Sequence, residues 1–238
     1  MKAIWKKELQ SYFYTPVGYV FIGVYLAISS VLFFLAILRQ HSGDLPVFIG
    51  EMSYIWMLLC PILTMRLIAE EKQKKTDQLL FTSPVSIPGM VIGKYLAAAT
   101  VLAVTTGLTL IYALVVAIYG TVYPMELAVN LLGFFLQGCA FAALDLFMSS
   151  CASTPAIAAV LAFGANFVIW MLDLFENQTD IPWIGEVIRF FSLYVRNEPF
   201  LMGQLSFAGV IYDLSFIIAF LAAAVYRLDS RRYRRNAG

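Results

Sequence analysis

Six long apolar segments, separated by shorter polar ones, set the pattern of this chain. Each runs for about 20 residues, the length that an α-helix needs to cross about 30 Å of hydrocarbon. The pattern predicts an all-α membrane protein with one transmembrane domain over residues 1–238. Its six predicted spans are residues 17–38, 52–68, 90–119, 127–149, 155–174 and 207–226. The second contains Pro61, which lacks a backbone donor and is expected to kink that helix.

Two further segments have helical periodicity without the length to span a bilayer. Residues 2–14 place apolar side chains on one face and lysines on the other, which predicts an amphipathic helix lying in the membrane surface. In residues 175–206, apolar side chains recur at helical spacing beside aromatic ones that favour the bilayer interface. This pattern predicts short interfacial or re-entrant helices before the sixth span, carried by Ile184, Ile188, Phe191 and Val195.

Composition agrees with a membrane protein. The chain is 61% hydrophobic and 13% charged, whereas soluble domains are about 45–50% apolar and about 25% charged. The longest stretch outside the predicted spans, residues 175–206, is shorter than the roughly 50 residues of a small soluble domain. We therefore expect no nucleotide-binding or catalytic domain within this sequence.

The distribution of lysine and arginine predicts the orientation. Thirteen of the 16 basic residues lie in the N-terminal segment, in residues 66–94 or in the C-terminal tail, and the other three are Arg39, Arg189 and Arg196. Loops rich in these residues stay in the cytoplasm. Both termini and the loop between the second and third spans are thus predicted to be cytoplasmic, in a multi-pass protein of the cell's inner membrane.

A search for catalytic, cofactor and metal motifs leads to no candidate. Residues 89–94 resemble a phosphate-binding loop, but three residues separate the glycines where the motif needs four, and Tyr95 follows the lysine. We interpret Gly89 and Gly93 as a helix-packing face and expect Lys94 to extend to the cytoplasmic surface. With His41 as the one histidine, a multi-histidine metal site is excluded. The chain is expected not to be an enzyme.

The loop between the second and third spans is the most distinctive segment. A dense charge run at residues 70–77 is followed by a bulky apolar patch at residues 78–86. Because it is the longest predicted cytoplasmic surface, it is suited to contact a soluble partner that moves it. Within the spans, Asp145 and Asp213 are ionisable, and charge at membrane depth is costly unless paired or hydrated. They are candidates to line a translocation path, although each could instead reach interfacial water.

The same loop carries a family resemblance. The stretches 65–72, 76–80, 82–86 and 91–95, with 5–9, 14–16 and Ser149-Ser150, resemble the permease subunits of type-2 ABC exporters, most closely the gliding-motility and nitrous-oxide-reductase-maturation permeases. The resemblance covers essentially the whole chain. Lys75 departs from it, since a glycine is common before Thr76, and Asp145 departs where a small residue is common.

The resemblance implies a fold and a set of partners. Residues 2–14 would form an elbow helix, and residues 69–88 a cytoplasmic coupling region whose helix docks on an ABC ATPase. Two permease chains, identical or homologous, and two ATPase chains in the lipid bilayer would form the working unit, with ATP and magnesium on the ATPases and no nucleic acid. The implied ATPase-coupling residues are Glu70, Glu71, Lys72, Thr76, Leu79, Leu80, Phe81, Ser83, Pro84 and Val85.

Other functions stay open at this point. The chain could be a membrane scaffold or assembly subunit without a translocation path, or an ion-coupled secondary transporter. No feature of the sequence identifies a substrate.

Overall fold

The structure, a computed structural model, describes residues 2–39, 43–76, 86–119, 121–176 and 192–236. Every regular element in these ranges is helical, and a π-helical turn at Phe34–Leu38 extends the second helix. We number the α-helices in chain order: α1 (Lys2–Tyr14), α2 (Pro16–Phe33), α3 (Leu45–Thr64), α4 (Arg66–Gln73), α5 (Ile87–Tyr119), α6 (Pro124–Cys151), α7 (Pro155–Glu176), α8 (Leu193–Leu201) and α9 (Phe207–Asn236).

Six of the described helices, counting α3 and α4 as one, are long and apolar enough to cross a membrane. The predicted all-α fold with six spans is thus confirmed. The second span begins with α3 at Leu45, earlier than its predicted start at residue 52. Asp44 is its N-cap residue and Pro46 lies in its first turn, where the missing proline N–H costs no helical hydrogen bond.

Helix α6 is the centre of the bundle and packs against α3, α4, α5, α7, α8 and α9. In lipid, close van der Waals packing and interhelical hydrogen bonds hold helices together, so small residues are favoured at the contacts. A Cβ atom at Gly138 would lie 3.1 Å from the Trp56 ring. The Trp56 indole N–H donates to the Phe134 carbonyl at 3.0 Å. The α3–α6 pair is therefore joined by close packing and by a hydrogen bond.

Buried hydroxyls join α2 to α5 in the same way. The Tyr25 and Thr109 hydroxyls lie 2.7 Å apart, and the Tyr112 hydroxyl lies 2.7 Å from that of Ser29. Each pair satisfies polar atoms that would otherwise be exposed to hydrocarbon, where an unpaired polar group is costly. These contacts fix α2 and α5 side by side.

The short helix α8 is wedged between two spans at one end of the bundle. The Phe200 side chain lies against Gly133 of α6 and Gly209 of α9, where added Cβ atoms would lie 2.6 Å from Phe200 Cβ and 2.7 Å from its Cε2. Glycine is required at both positions for this approach. We call this end of the bundle the α8 end. The opposite end of the bundle, where α3 is followed by α4, is the α4 end. The predicted coupling helix covers residues 76–86, of which 77–85 lie outside the described residues. Residues 177–191 of the predicted interfacial segment also lie outside them.

Candidate functional site

The passage from α3 to α4 is the first component of the candidate site. Between them lies Met65, whose backbone stays in the α region. The Ser149 hydroxyl of α6 donates to the Met65 carbonyl at 3.1 Å and accepts from the Ala69 N–H at 3.2 Å. A side chain inserted into the helical ladder is a known cause of a helix break. Because one hydroxyl bridges both sides of the break, α4 continues from α3 with its position fixed by α6.

A buried lysine joins three helices at the α4 end. The Lys94 side chain of α5 is 2% exposed. Its Nζ donates to Glu8 Oε1 at 3.0 Å, to Glu71 Oε1 at 2.7 Å and to the Leu67 carbonyl at 2.6 Å. An ammonium has three N–H donors, and all three are used. We call this group, formed by Glu8, Leu67, Glu71 and Lys94, the Lys94 junction; it connects α1, α4 and α5.

The expectation that Lys94 extends to the cytoplasmic surface is therefore wrong. A lysine at the edge of an apolar segment usually reaches water because an isolated ammonium is costly to bury. Two carboxylates and a carbonyl compensate that cost here, and the side chain turns inward instead. The sequence does not identify Glu8, which supplies one of the two carboxylates, as a site residue, since a lone acid beside lysines is not a specific signal.

Helix α1 is anchored on the bundle by further hydrogen bonds. The Tyr12 hydroxyl donates to the Leu63 carbonyl at 2.7 Å, and the Trp5 indole N–H donates to the Thr100 hydroxyl at 3.1 Å. A Cβ atom at Gly18 would lie 2.6 Å from the Tyr12 carbonyl oxygen. This glycine lets α2 begin close against α1. Helix α1 thus packs on α5 and α2 and is joined to α3 by the Tyr12 hydroxyl.

The end of α4 has the geometry of a Schellman motif. The Thr76 N–H donates to the Glu71 carbonyl at 2.9 Å and the Lys75 N–H donates to the Lys72 carbonyl at 3.2 Å. Lys75 has a φ of +57°, the left-handed conformation that this motif requires and that glycine adopts most easily. The turn therefore keeps the geometry of a glycine although a lysine occupies the position.

This turn gives a prediction. Because an L-residue in the left-handed region costs about 1–2 kcal/mol, we expect Lys75→Gly to retain or raise the thermal midpoint. Lys75→Val should lower it, since a β-branched side chain tolerates positive φ poorly. The thermal midpoints of both variants can be measured in detergent with a thiol-reactive dye, because Cys60 and Cys139 are free and become accessible from their buried positions on unfolding. A higher midpoint for Lys75→Val than for Lys75→Gly would contradict the motif.

The charged coupling residues that the structure describes are already engaged within the chain. The Glu70 carboxylate pairs with Arg66 and Lys74, both at 2.6 Å. Glu71 belongs to the Lys94 junction. The Lys72 ammonium donates to the Ser150 carbonyl and, at 3.1 Å, to that of Ala152, at the carbonyl end of α6 where a cation is favoured.

The coupling residues thus divide into two groups. Glu71 and Lys72 fix α4 against the bundle, and Glu70 forms its ion pairs within α4 and its C-cap. The exposed Thr76 begins the segment that follows. The remaining predicted coupling residues lie outside the described part of the chain: Leu79, Leu80, Phe81, Ser83, Pro84 and Val85. Contact of any of these residues with an ATPase stays a prediction.

Asp145 lies in the packed interior between α3, α6 and α7. It is fully buried, and its Oδ2 accepts from the Asn166 amide at 3.4 Å. The same amide donates to the Met57 carbonyl at 3.2 Å, which cannot receive a helical hydrogen bond from Pro61, four residues on, because proline lacks the N–H. Asn166 thus compensates for Pro61 and contacts Asp145.

Two substitutions of Asp145 distinguish a role of this residue in packing from a role in transport. Asp145→Asn keeps an oxygen that can accept from Asn166 and removes a carboxylate, so we expect an unchanged or higher thermal midpoint. Asp145→Ala should lower the free energy of unfolding by about 1–3 kcal/mol, since it removes the acceptor and leaves a void. A role of Asp145 in a translocation path stays a prediction; loss of transport in a stable Asp145→Asn variant would support it, and unchanged transport would contradict it.

Asp213, the other predicted path residue, is buried in α9, and its Oδ1 has no hydrogen-bond partner within the described ranges. The hydrogen-bond partner of Asp145 in the described structure is Asn166, not Asp213. The participation of Asp213 in a path stays a prediction.

Comparisons with known proteins agree with this geometry. A family model described as "ABC-2 family transporter protein" matches residues 45–227. No curated protein matches the chain. The match begins at the first residue of α3 and ends within α9, so it covers five of the six apolar helices. This chain, with six helices able to span a membrane, belongs to the ABC-2 transporter family.

Proposed function

We propose that this chain is the membrane-spanning subunit of an ATP-driven exporter and that residues 76–86 dock on a cytoplasmic ABC ATPase. The observation that carries the proposal is the rigid attachment of α4. Residues 77–85 directly follow a helix that is held by α1 and α5 through Lys94 and by α6 through Ser149. A force applied to that segment is transmitted to all of these helices.

The proposed mechanism is mechanical. ATP binding closes two partner ATPases on each other, and their motion displaces residues 76–86. Because α4 continues from α3, and α5 begins just after the docking segment, the displacement moves both spans together. The interior of the bundle is closely packed and does not deform continuously. Two permease chains therefore rock as units, and the path between them opens to the outside.

Charge pairs within the chain have a defined role in this mechanism. The ion pairs of Glu70 and Glu71 stiffen α4, which connects residues 76–86 to the bundle. The apolar side chains Leu79, Leu80, Phe81 and Val85 are proposed to fill a cleft on the ATPase. Apolar anchors in a fitted pocket usually dominate the binding energy of an interface.

Purification from native membranes tests the proposal. A tagged chain extracted in mild detergent should carry an ATPase subunit with a Walker A motif, in equal copy number, and the complex should hydrolyse ATP. Tight association with a complex that contains no ATPase would favour a scaffold. Transport driven by a proton or sodium gradient alone would favour a secondary transporter, the class for which buried carboxylates such as Asp145 are typical.

A further inference from the structure

A cavity of about 530 Å³ opens at the α8 end, between α3, α6 and α8. Its volume lies within the range of sites for small molecules, about 300–1,000 Å³. It is at the opposite end of the bundle from the Lys94 junction, so the coupling function does not account for it. Its lining includes residues from all three helices, and the polar ones among them are Ser53, Tyr54, Gln137, Tyr194, Asn197 and Glu198.

Gln137 is the strongest sign that the cavity binds a ligand. Its side chain is 0% exposed, and neither its Nε2 nor its Oε1 has a hydrogen-bond partner within the described part of the chain. Leaving both polar atoms of a buried amide unpaired is costly. An apolar residue at this position would avoid that cost. The placement of a glutamine in the wall is explained if another molecule supplies a donor and an acceptor.

A second amide faces the same space. Asn197 of α8 is buried and donates to the Gly133 carbonyl at 3.4 Å, while its Oδ1 is unpaired among the described residues. Gln137 and Asn197 together offer two carbonyl oxygens and one free amide nitrogen. A hydroxyl group can donate to the former and accept from the latter, which makes hydroxyls suitable partners for both.

Two tyrosines add an aromatic surface to the wall. The Tyr54 ring stacks on that of Tyr194 with centroids 4.6 Å apart, and 43% of Tyr54 is exposed. The ring thus offers a flat apolar surface beside the amides. No lysine or arginine is among the described residues of the lining, and its one carboxylate, that of Glu198, lies exposed.

We propose that this cavity binds a neutral, hydroxyl-rich ligand, a glycosyl unit that stacks on Tyr54 and hydrogen-bonds to Gln137 and Asn197. The lack of a described cationic side chain disfavours phosphates and carboxylates. An organic ammonium would need a desolvated carboxylate or several aromatic faces around it, but Glu198 is exposed to solvent. The inference rests on the proposed function only in identifying the bound molecule as cargo.

Binding is tested on the purified chain in nanodiscs of phosphatidylethanolamine and phosphatidylglycerol, without an ATPase. The probes are methyl α-D-glucopyranoside, N-acetylglucosamine and maltotriose, observed by saturation-transfer NMR, with choline as the ammonium probe. We expect transfer to the sugar ring protons of at least one saccharide. The proposal would be overturned if none of the saccharides received saturation from the protein. It would also be overturned if choline alone received it. Either failure leaves docking of an ATPase at residues 76–86 unaffected.

Two variants and a matched control locate the binding. Gln137→Leu should weaken saccharide binding at least tenfold while the thermal midpoint does not fall, because it removes unpaired atoms. Gln204→Leu, the same change at an exposed position after α8, should bind as the wild type does. Tyr54→Leu, at a partly exposed residue, should also weaken binding at least tenfold. Unchanged binding in Tyr54→Leu, or in a folded Gln137→Leu, would refute the site.

Discussion

Lys94→Met is expected to destabilise the protein by about 3–5 kcal/mol, the usual cost of removing one partner from a buried ion pair. The substitution keeps the length of the side chain but leaves the Glu8 and Glu71 carboxylates without their shared cation. The Leu67 carbonyl also loses a donor. If α4 transmits motion as proposed, the variant should also lose coupled ATP turnover, because α4 is no longer held by α1 and α5. The measurement is the thermal midpoint in detergent, followed by ATPase activity of the complex.

A surface lysine and a compensated variant serve as controls. Lys74→Met removes an exposed partner of Glu70, where such pairs contribute about 0–1 kcal/mol. Neutralising all three groups in Glu8→Gln/Glu71→Gln/Lys94→Met removes the unpaired charges and should recover part of the loss. Equal midpoints for Lys94→Met and Lys74→Met would show that the junction does not hold the helices together.

Leu80→Asp is expected to abolish ATP turnover coupled to transport while the amount of folded protein in the membrane stays unchanged. The proposal places Leu80 in an apolar cleft of the ATPase, and a carboxylate there would have to be desolvated without a partner. Loss of an interface anchor typically costs about 2 kcal/mol or more, which lowers affinity by roughly 30-fold. ATPase affinity and transport-dependent hydrolysis are measured together.

The matched control is Gln73→Asp, which adds the same charge at the exposed end of α4. It should retain most of the affinity, since no apolar contact is proposed there. Wild-type coupling in Leu80→Asp would contradict the docking role. Charge reversal at Glu71 would not test docking specifically, because Glu71 pairs with Lys94 and its reversal would disturb the fold itself.

Much of the fold could be predicted because span length and apolar content are local properties of the sequence. The six long helices follow directly from that pattern, and the N-terminal segment also forms a helix, Lys2–Tyr14. Helix α3 extends further than predicted because the continuous apolar segment begins only after Glu51, whereas the helix itself starts after its N-cap residue, Asp44. Hydropathy locates a membrane segment more reliably than it locates the ends of its helix.

The pairings at the candidate site could not be predicted, because their partners are distant in sequence. Lys94 lies 86 residues from Glu8 and 23 from Glu71, and Ser149 lies 80 residues from Ala69. A lysine at the edge of an apolar segment gives the same sequence signal whether it reaches water or a buried carboxylate. Gln137 likewise appears as an ordinary polar residue of a span until α8 creates the cavity around it.

The central claim is that residues 76–86 transmit motion from an ATPase to this chain. The most direct measurement is photocrosslinking in native membranes, with p-benzoylphenylalanine at position 80 and, as a control, at the exposed position Leu114 within α5. The account predicts that position 80, but not position 114, forms an adduct with a partner protein. Peptides of that partner should include a Walker A motif. An adduct from neither position, or accessibility of position 80 only from outside the cell, would contradict it.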